Sequence, residues 1–151
     1  MLTAEDIIRE LHLQPHPEGG AFRETYRSSI EAKISDPRSV CTAIYFLLRE
    51  HQRSEWHRVK HDEIYHFYYG SPLELLMISP QGEFTRSIFG VNLQDGERPQ
   101  IIVPANYWQS ACSLGDYTLY GCTVSPGFDF KDFEMSDTSQ LKKIFPNLPN
   151  I

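Results

Sequence analysis

Ser54-Glu55-Trp56-His57-Arg58-Val59-Lys60-His61-Asp62-Glu63-Ile64-Tyr65-His66-Phe67-Tyr68-Tyr69-Gly70 holds the densest chemistry in the chain. From Glu63 to Tyr69 it is mostly branched and aromatic, a composition suited to a pleated, half-buried strand. Gly70-Ser71-Pro72 then supplies a turn, because Gly tolerates positive φ and Pro presets its own. Side chains alternate across a strand, so Glu63, Tyr65 and Phe67 share one face and His66 falls on the other. His57 lies beyond a polar turn at Lys60 to Asp62, so parity alone does not say whether it joins Glu63.

Outward from this segment the pattern stays β. Phe22, Glu24 and Tyr26 alternate with Arg23, Thr25 and Arg27. Val40 to Leu48 is an apolar run suited to a strand buried on both faces. Leu73 to Ile78, Phe84 to Phe89, Ile101 to Val103, Trp108 to Cys112 and Tyr117 to Val124 follow, separated by Pro80-Gln81-Gly82, Asp95-Gly96 and Leu114-Gly115-Asp116. Gly127 to Glu134 alternates like a last strand. Helices are expected only at the ends. Thr3 and Asp6 form a capping pair ahead of a stripe of Ala4, Ile7, Ile8 and Leu11, with Pro15 and Pro17 as the stop. A second runs from Asp137 to Ile144 with Leu141, Ile144 and Phe145 on its apolar face, and Pro146 ends it.

Composition bounds the class. With 151 residues, 40% hydrophobic and 23% charged, the chain can bury a core and reads as one domain over residues 1–151. A net charge of -6 argues against a nucleic-acid polymer or an anionic membrane as partner. No apolar run is long enough to span a bilayer, and the polar Met1 to Glu10 stretch is unlike a secretory leader. Cys41, Cys112 and Cys122 follow no disulfide framework and read as buried thiols. These features together predict a cytoplasmic protein.

The quoted segment resembles the first motif of the cupin superfamily, H-x-H-x3-E-x6-G. His57, Glu63 and Gly70 match it, while Val59 stands at the second His. Pro104-Ala105-Asn106-Tyr107-Trp108-Gln109 resembles the second motif, P-x-G-x2-H, with Asn106 for Gly and Gln109 for His. The resemblance implies an all-β fold, the double-stranded β-helix or jelly roll, here with short terminal helices. It also implies that His57 and Glu63 face the barrel lumen, with Gln109 entering from a facing strand. His16-Pro17-Glu18-Gly19-Gly20-Ala21-Phe22-Arg23-Glu24-Thr25-Tyr26 is similar to an early strand of the dTDP-4-keto-6-deoxy-sugar 3,5-epimerases. There Phe22 and Glu24 match nucleotide-touching positions, and Gly19 replaces a phosphate-gripping Arg. As a set, these segments with Gly121 to Glu134 resemble an uncharacterised cupin family described as predicted sugar epimerases, usually dimeric.

The resemblance implies a small-molecule ligand, a sugar, nucleotide-sugar or related carbonyl compound, and a homodimer. Epimerisation needs a base beside the carbon that loses its proton and a donor facing the oxyanion. His57 is the expected base, Glu63 its partner, and Tyr65 the group returning a proton. Phe22, Arg23, Glu24, His66, Trp108 and Gln109 are the expected substrate contacts. Trp56, Tyr65, Phe67, Tyr107 and Trp108 could add stacking surfaces, and Arg58 an anion contact. One alternative is a metal-dependent cupin, a dioxygenase or isomerase with a divalent metal ion on His57, Glu63 and Gln109. The other is a non-catalytic ligand-binding module.

Overall fold

The computed structural model describes residues 1–151. Helix α1 (Ala4–Glu10) opens it, and α2 (Thr138–Ile144) lies near its end. Between them run β1 (Gln14–Pro15), β2 (Ala21–Arg27), β3 (Glu31–Ala32), β4 (Arg38–Ser39), β5 (Thr42–Arg49), β6 (Trp56–Arg58), β7 (Asp62–Gly70), β8 (Leu73–Ile78), β9 (Phe84–Phe89), β10 (Gln100–Val103), β11 (Trp108–Ser113), β12 (Tyr117–Ser125) and β13 (Glu134–Ser136). Two antiparallel sheets form, in the orders β1-β2-β5-β12-β7-β10 and β13-β6-β11-β8-β9, with β3-β4 as a separate hairpin. This is the expected jelly roll.

Alternation explains how each strand serves two layers. On β5, Phe46 and Leu48 enter the core between the sheets, where they meet Tyr65, Leu73, Leu75, Phe89, Val103, Ala111 and Tyr120. Leu47 points the other way and packs with Ala4, Ile7 and Leu13 beneath α1. That is why Val40 to Leu48 reads as unbroken apolar sequence. On the second sheet Trp56, Leu76, Ile78 and Trp108 face outward and are covered by Leu141 of α2.

The helix ends follow capping chemistry. Thr3 accepts from the Asp6 backbone N–H and Asp6 reaches back to the Thr3 N–H, a reciprocal box. The helix stops at Glu10, before the prolines expected to end it, and His12 turns the chain with φ 55°. On α2, Asp137 caps Gln140 N and Leu141 is fully buried, but Ile144 is 60% exposed and does not join the apolar face.

One predicted strand is not a strand. Gly127 to Glu134 alternates apolar and polar residues, yet Phe130–Asp132 is a turn of 3-10 helix and pairing resumes only at Glu134. Asp129 caps that turn by accepting from Lys131 N at 3.0 Å. Buried Arg38 pairs with buried Asp132 and donates to Gly127 O, while Lys60 lies 3.3 Å from the other Asp132 oxygen. The segment thus becomes a loop held to the rim by ion pairs. The thiols are all free; Cys122 is buried, whereas Cys41 and Cys112 are only half-buried.

Candidate functional site

One end of the space between the sheets is not filled. A cavity of about 300 Å³ remains, lined by residues of β2, β5, β6, β7 and β12, by the turn before β2, and by the loop after β12. Glu18 and Glu63, His16 and His57, Tyr65, Tyr120 and Cys122 supply its polar groups. Phe22, Phe46, Phe128, Phe130 and Phe133 supply its aromatic wall. Phe128, Phe130 and Phe133 meet one another edge to face, with centroids 4.8–6.3 Å apart, as a cluster on the loop.

Each polar side chain arrives there for a local reason. Glu63 and Tyr65 are inward residues of β7, and Gln109 is, like Ala111, an inward residue of β11, facing His57 of β6 in register. Gln109 is fully buried, accepts the Tyr65 hydroxyl proton and donates from Nε2 to Glu63 Oε1 at 2.8 Å. Glu18 comes from the turn at Gly19 and Gly20, whose φ of 96° and 83° suit glycine. A Cβ on Gly20 would sit 2.9 Å from Leu47 O, so the turn presses against β5 and tucks Glu18 inside. Glu55 N donates to Glu18 O at 2.6 Å and locks that turn to the entrance of β6.

Protonation follows from the contacts. His57 Nδ1 lies 2.8 Å from Glu55 O, which can only accept, so Nδ1 carries the proton. Nε2 then faces Glu18 Oε2, 3.1 Å away. Burial lowers the His57 pKa to about 4, against the raising effect of the Glu55 carbonyl. Burial, reinforced by the nearby Glu63 charge, pushes Glu18 well above the ordinary carboxylate range. Burial thus disfavours the charged form of both groups, and the bare imidazole nitrogen faces the Glu18 carboxyl. His16 is held at about 4 by burial and by His57, and its Nδ1 accepts from Glu18 N at 3.1 Å. Burial also raises Glu63, opposed by hydrogen bonds from Gln109 and Cys122. Every side-chain polar atom sealed from solvent has a hydrogen-bond partner. Apart from the approach to His57 and a longer one to His16 at 3.7 Å, the Glu18 carboxyl has no partner, so its other oxygen opens onto the cavity.

The expected residues divide by strand parity. Phe22, Glu24, His57, Glu63 and Tyr65 line the cavity, and Gln109 stands just behind Glu63 and Tyr65. Arg23, between Phe22 and Glu24, points outward, donates to Leu11 O and lies over the Tyr45 ring. His66, next to Tyr65, lies on the outer face against Thr123 Oγ1. Trp108, next to Gln109, packs in the α2 cluster with Trp56, and Arg58 lies over its ring and pairs with Glu134. Phe67 and Tyr107 pack against the core rather than line the cavity. Arg23, His66, Trp108 and Arg58 are thus not cavity contacts. Glu63 is not the partner of His57; Glu18 is. Glu18 and the loop phenylalanines are the cavity residues that strand reasoning misses. The signal for Glu18 was a lone acid wedged between Pro17 and Gly19.

The comparisons with known proteins agree with this architecture. The family model described as cupin superfamily (DUF985) matches residues 5–136. The chain belongs to that cupin family. This cupin is similar to protein SO0799 from Shewanella oneidensis, at 41% identity and a TM-score of 0.89 over 97% of this chain and 92% of that one. It is similar to a hypothetical protein from Leishmania major, at 34% identity and a TM-score of 0.89 over 96% and 93% of the two chains. The uncharacterized protein YML079W of Saccharomyces cerevisiae is 26% identical over a 147-residue alignment covering 86% of this cupin and 73% of the yeast protein. Oxalate decarboxylase from Bacillus subtilis shares the fold alone, at 16% identity and a TM-score of 0.61 over 89% of this chain and 36% of that one.

Two motif substitutions now have a physical reading. Asn106, at the glycine position of the second motif, has φ 66°, a region Asn enters more readily than most side chains. Gln109, at the histidine position, spends its amide on Tyr65 and Glu63. The donors of this cupin do not fit a metal: the Gln109 oxygen is taken by Tyr65, its NH2 faces Glu63, and both His57 nitrogens face other partners. No group of three or more His, Cys, Asp or Glu converges on one point. The arrangement instead suits proton transfer inside an apolar enclosure.

Proposed function

We propose that this cupin binds a small carbonyl compound in the aromatic cavity and moves a proton at the carbon beside the carbonyl, as an epimerase or isomerase does. The observation that carries the reading is the Glu18–His57 pair. Two buried groups, each pushed toward its neutral form, face each other at 3.1 Å, and the carboxyl of the pair opens onto the cavity. Glu18 is the group that meets the ligand, and His57 holds or returns the proton behind it. This reverses the order expected from the motif, in which His57 itself was the base. Glu63, oriented by Gln109, is a second carboxyl in the same cavity and serves the second face of the ligand, taking a proton where the Glu18–His57 pair gives one. Tyr65 acts on Glu63 through Gln109 and is a positioning residue. A cavity of about 300 Å³ is at the small end of ligand sites and suits a monosaccharide-sized body.

The test is isotope exchange. Aldoses and ketoses of three to six carbons, dihydroxyacetone and fructose included, are incubated with the protein in D2O and followed by proton NMR. The expected result is loss of the signal at the carbon beside the carbonyl of one compound, abolished in Glu18→Gln and His57→Ala while the near-ultraviolet circular dichroism is unchanged. A panel in which nothing exchanges, or exchange that survives Glu18→Gln, would reject proton transfer.

We also propose that two copies pair through the outer face of the first sheet, where Tyr68 and Ile102 stand 51% and 59% exposed. Light scattering at micromolar concentration should then give twice the chain mass, and a monomer mass would refute it. No helix is long and apolar enough to cross a membrane.

A further inference from the structure

The cavity holds an uneven set of charges. Glu18, Glu24 and Glu63 all border it, but Arg27 is the only Lys or Arg that does. Arg27 is engaged at the mouth, where it donates to Glu24 at 2.6 and 3.2 Å and to Phe128 O at 3.1 Å. The two imidazoles inside carry no charge at pH 7. Glu18 and Glu63, only 5% and 9% exposed, therefore face the interior with no cation to pair with. Five phenylalanines line the same wall, and their ring faces carry negative electrostatic potential.

Three kinds of ligand head group can be compared against this lining. An anion meets two acids, five ring systems and no free positive charge, so a phosphate or carboxylate gains nothing to offset its desolvation. That counts against the nucleotide-sugar expected from the epimerase resemblance. A neutral hydroxyl can hydrogen-bond to either acid but gains little from the rings. A protonated amine gains from both, because a desolvated carboxylate and an aromatic face each favour a cation.

We propose that the occupant of this cavity carries a protonated nitrogen, seated against Glu63 and Glu18 and enclosed by the loop phenylalanines. The inference rests on reading this cavity as the ligand site and narrows its occupant to amine-bearing carbonyl compounds, such as amino sugars and α-amino ketones. The contact is a carboxylate–ammonium pair: the ammonium keeps its proton and no covalent bond changes. Gln109 Nε2 remains on Glu63 Oε1 throughout, which leaves the other oxygen for the ligand.

Benzylamine, benzyl alcohol and benzoate share one skeleton and differ in charge, so they isolate the effect. Each is titrated calorimetrically into the full-length protein near pH 7. Benzylamine should bind at least about tenfold tighter than benzyl alcohol, and benzoate should not bind. Glu63→Gln should weaken the amine by about tenfold and leave the alcohol unchanged. Phe133→Leu, which keeps every acid, should also weaken the amine selectively and serves if Glu63→Gln does not fold. Benzoate binding best, amine and alcohol binding alike, none of the three binding, or an amine indifferent to both substitutions would overturn the proposal. Amine selectivity without deuterium exchange at any carbonyl compound would leave this inference standing and reject only proton transfer. Exchange with benzoate preferred would do the reverse.

Discussion

Replacing Gln109 with Met should destabilise the protein by about 1–3 kcal/mol, through the groups it abandons rather than through lost volume. Gln109 is fully buried and bridges the Tyr65 hydroxyl to Glu63 Oε1. Met has nearly the same length and no polar atom, so no cavity opens. Tyr65 is only 2% exposed, and without its acceptor the hydroxyl is orphaned at a cost of about 1–3 kcal/mol. Glu63 borders the cavity, so water can replace the lost N–H and the second loss is nearer 1 kcal/mol. Burying a thioether instead of an amide returns about 1 kcal/mol. Tyr65→Phe alone leaves the Gln109 oxygen unpaired and should cost about 1–2 kcal/mol. In the double variant neither orphan exists, so its cost should fall short of the sum of the singles by at least about 1 kcal/mol. Urea unfolding with a common m-value measures all three. A neutral Gln109→Met, or singles that add within about 0.5 kcal/mol, would refute the bridge as the reason for this residue.

Acid should destabilise the protein through its imidazoles. Unfolded His57 takes a proton below about 6.5 and folded His57 only below about 4, so its contribution is complete above pH 6.5 and is lost as pH falls to 4. That is about 3 kcal/mol, and His57→Phe should remove that part of the slope while His16, shifted the same way, keeps the remainder. The carboxyls facing them act oppositely: raised Glu18 and Glu63 stabilise below their unfolded pKa and lose that contribution as pH rises through their folded values, so Glu18→Gln should flatten the neutral-side decline. Unfolding curves from pH 4 to 8 that run parallel in wild type and both variants would contradict these assignments. Asp132→Asn strands a guanidinium that is 3% exposed, though Asp36 and Gly127 O still hold it, so it should cost about 2–4 kcal/mol. It should also speed hydrogen exchange in Phe130 to Phe133; unchanged exchange there would mean that the ion pair does not anchor the cavity loop.

Much of the fold was legible because its signals are local. Alternation on β7, the double-sided apolar run of β5, glycine and proline turns and the Thr3 cap all act within a few residues, where backbone sterics decide. The same alternation, applied strictly, would also have removed Arg23, His66 and Trp108 from the site, because each adjoins a residue that faces inward. The loop after β12 misled for a related reason. Its Phe-Asp-Phe-Lys-Asp-Phe pattern has strand parity, but the acid that ties it down is distant in sequence from its partners: Asp132 answers Arg38 and Lys60.

The sequence by itself determined a β-rich chain with helices at its ends, an acidic composition, and a shared strand face for Glu63 and Tyr65; its resemblance to cupins added the jelly roll and turned that face inward. Tertiary structure alone decided who partners whom. Glu18 and His57 are far apart in the chain and meet only because two glycine conformations press the turn against β5 while β6 closes the second sheet. Their protonation is likewise not a property of either residue. It follows from burial and from a backbone carbonyl that assigns the imidazole proton, both of which exist only after the sheets have packed.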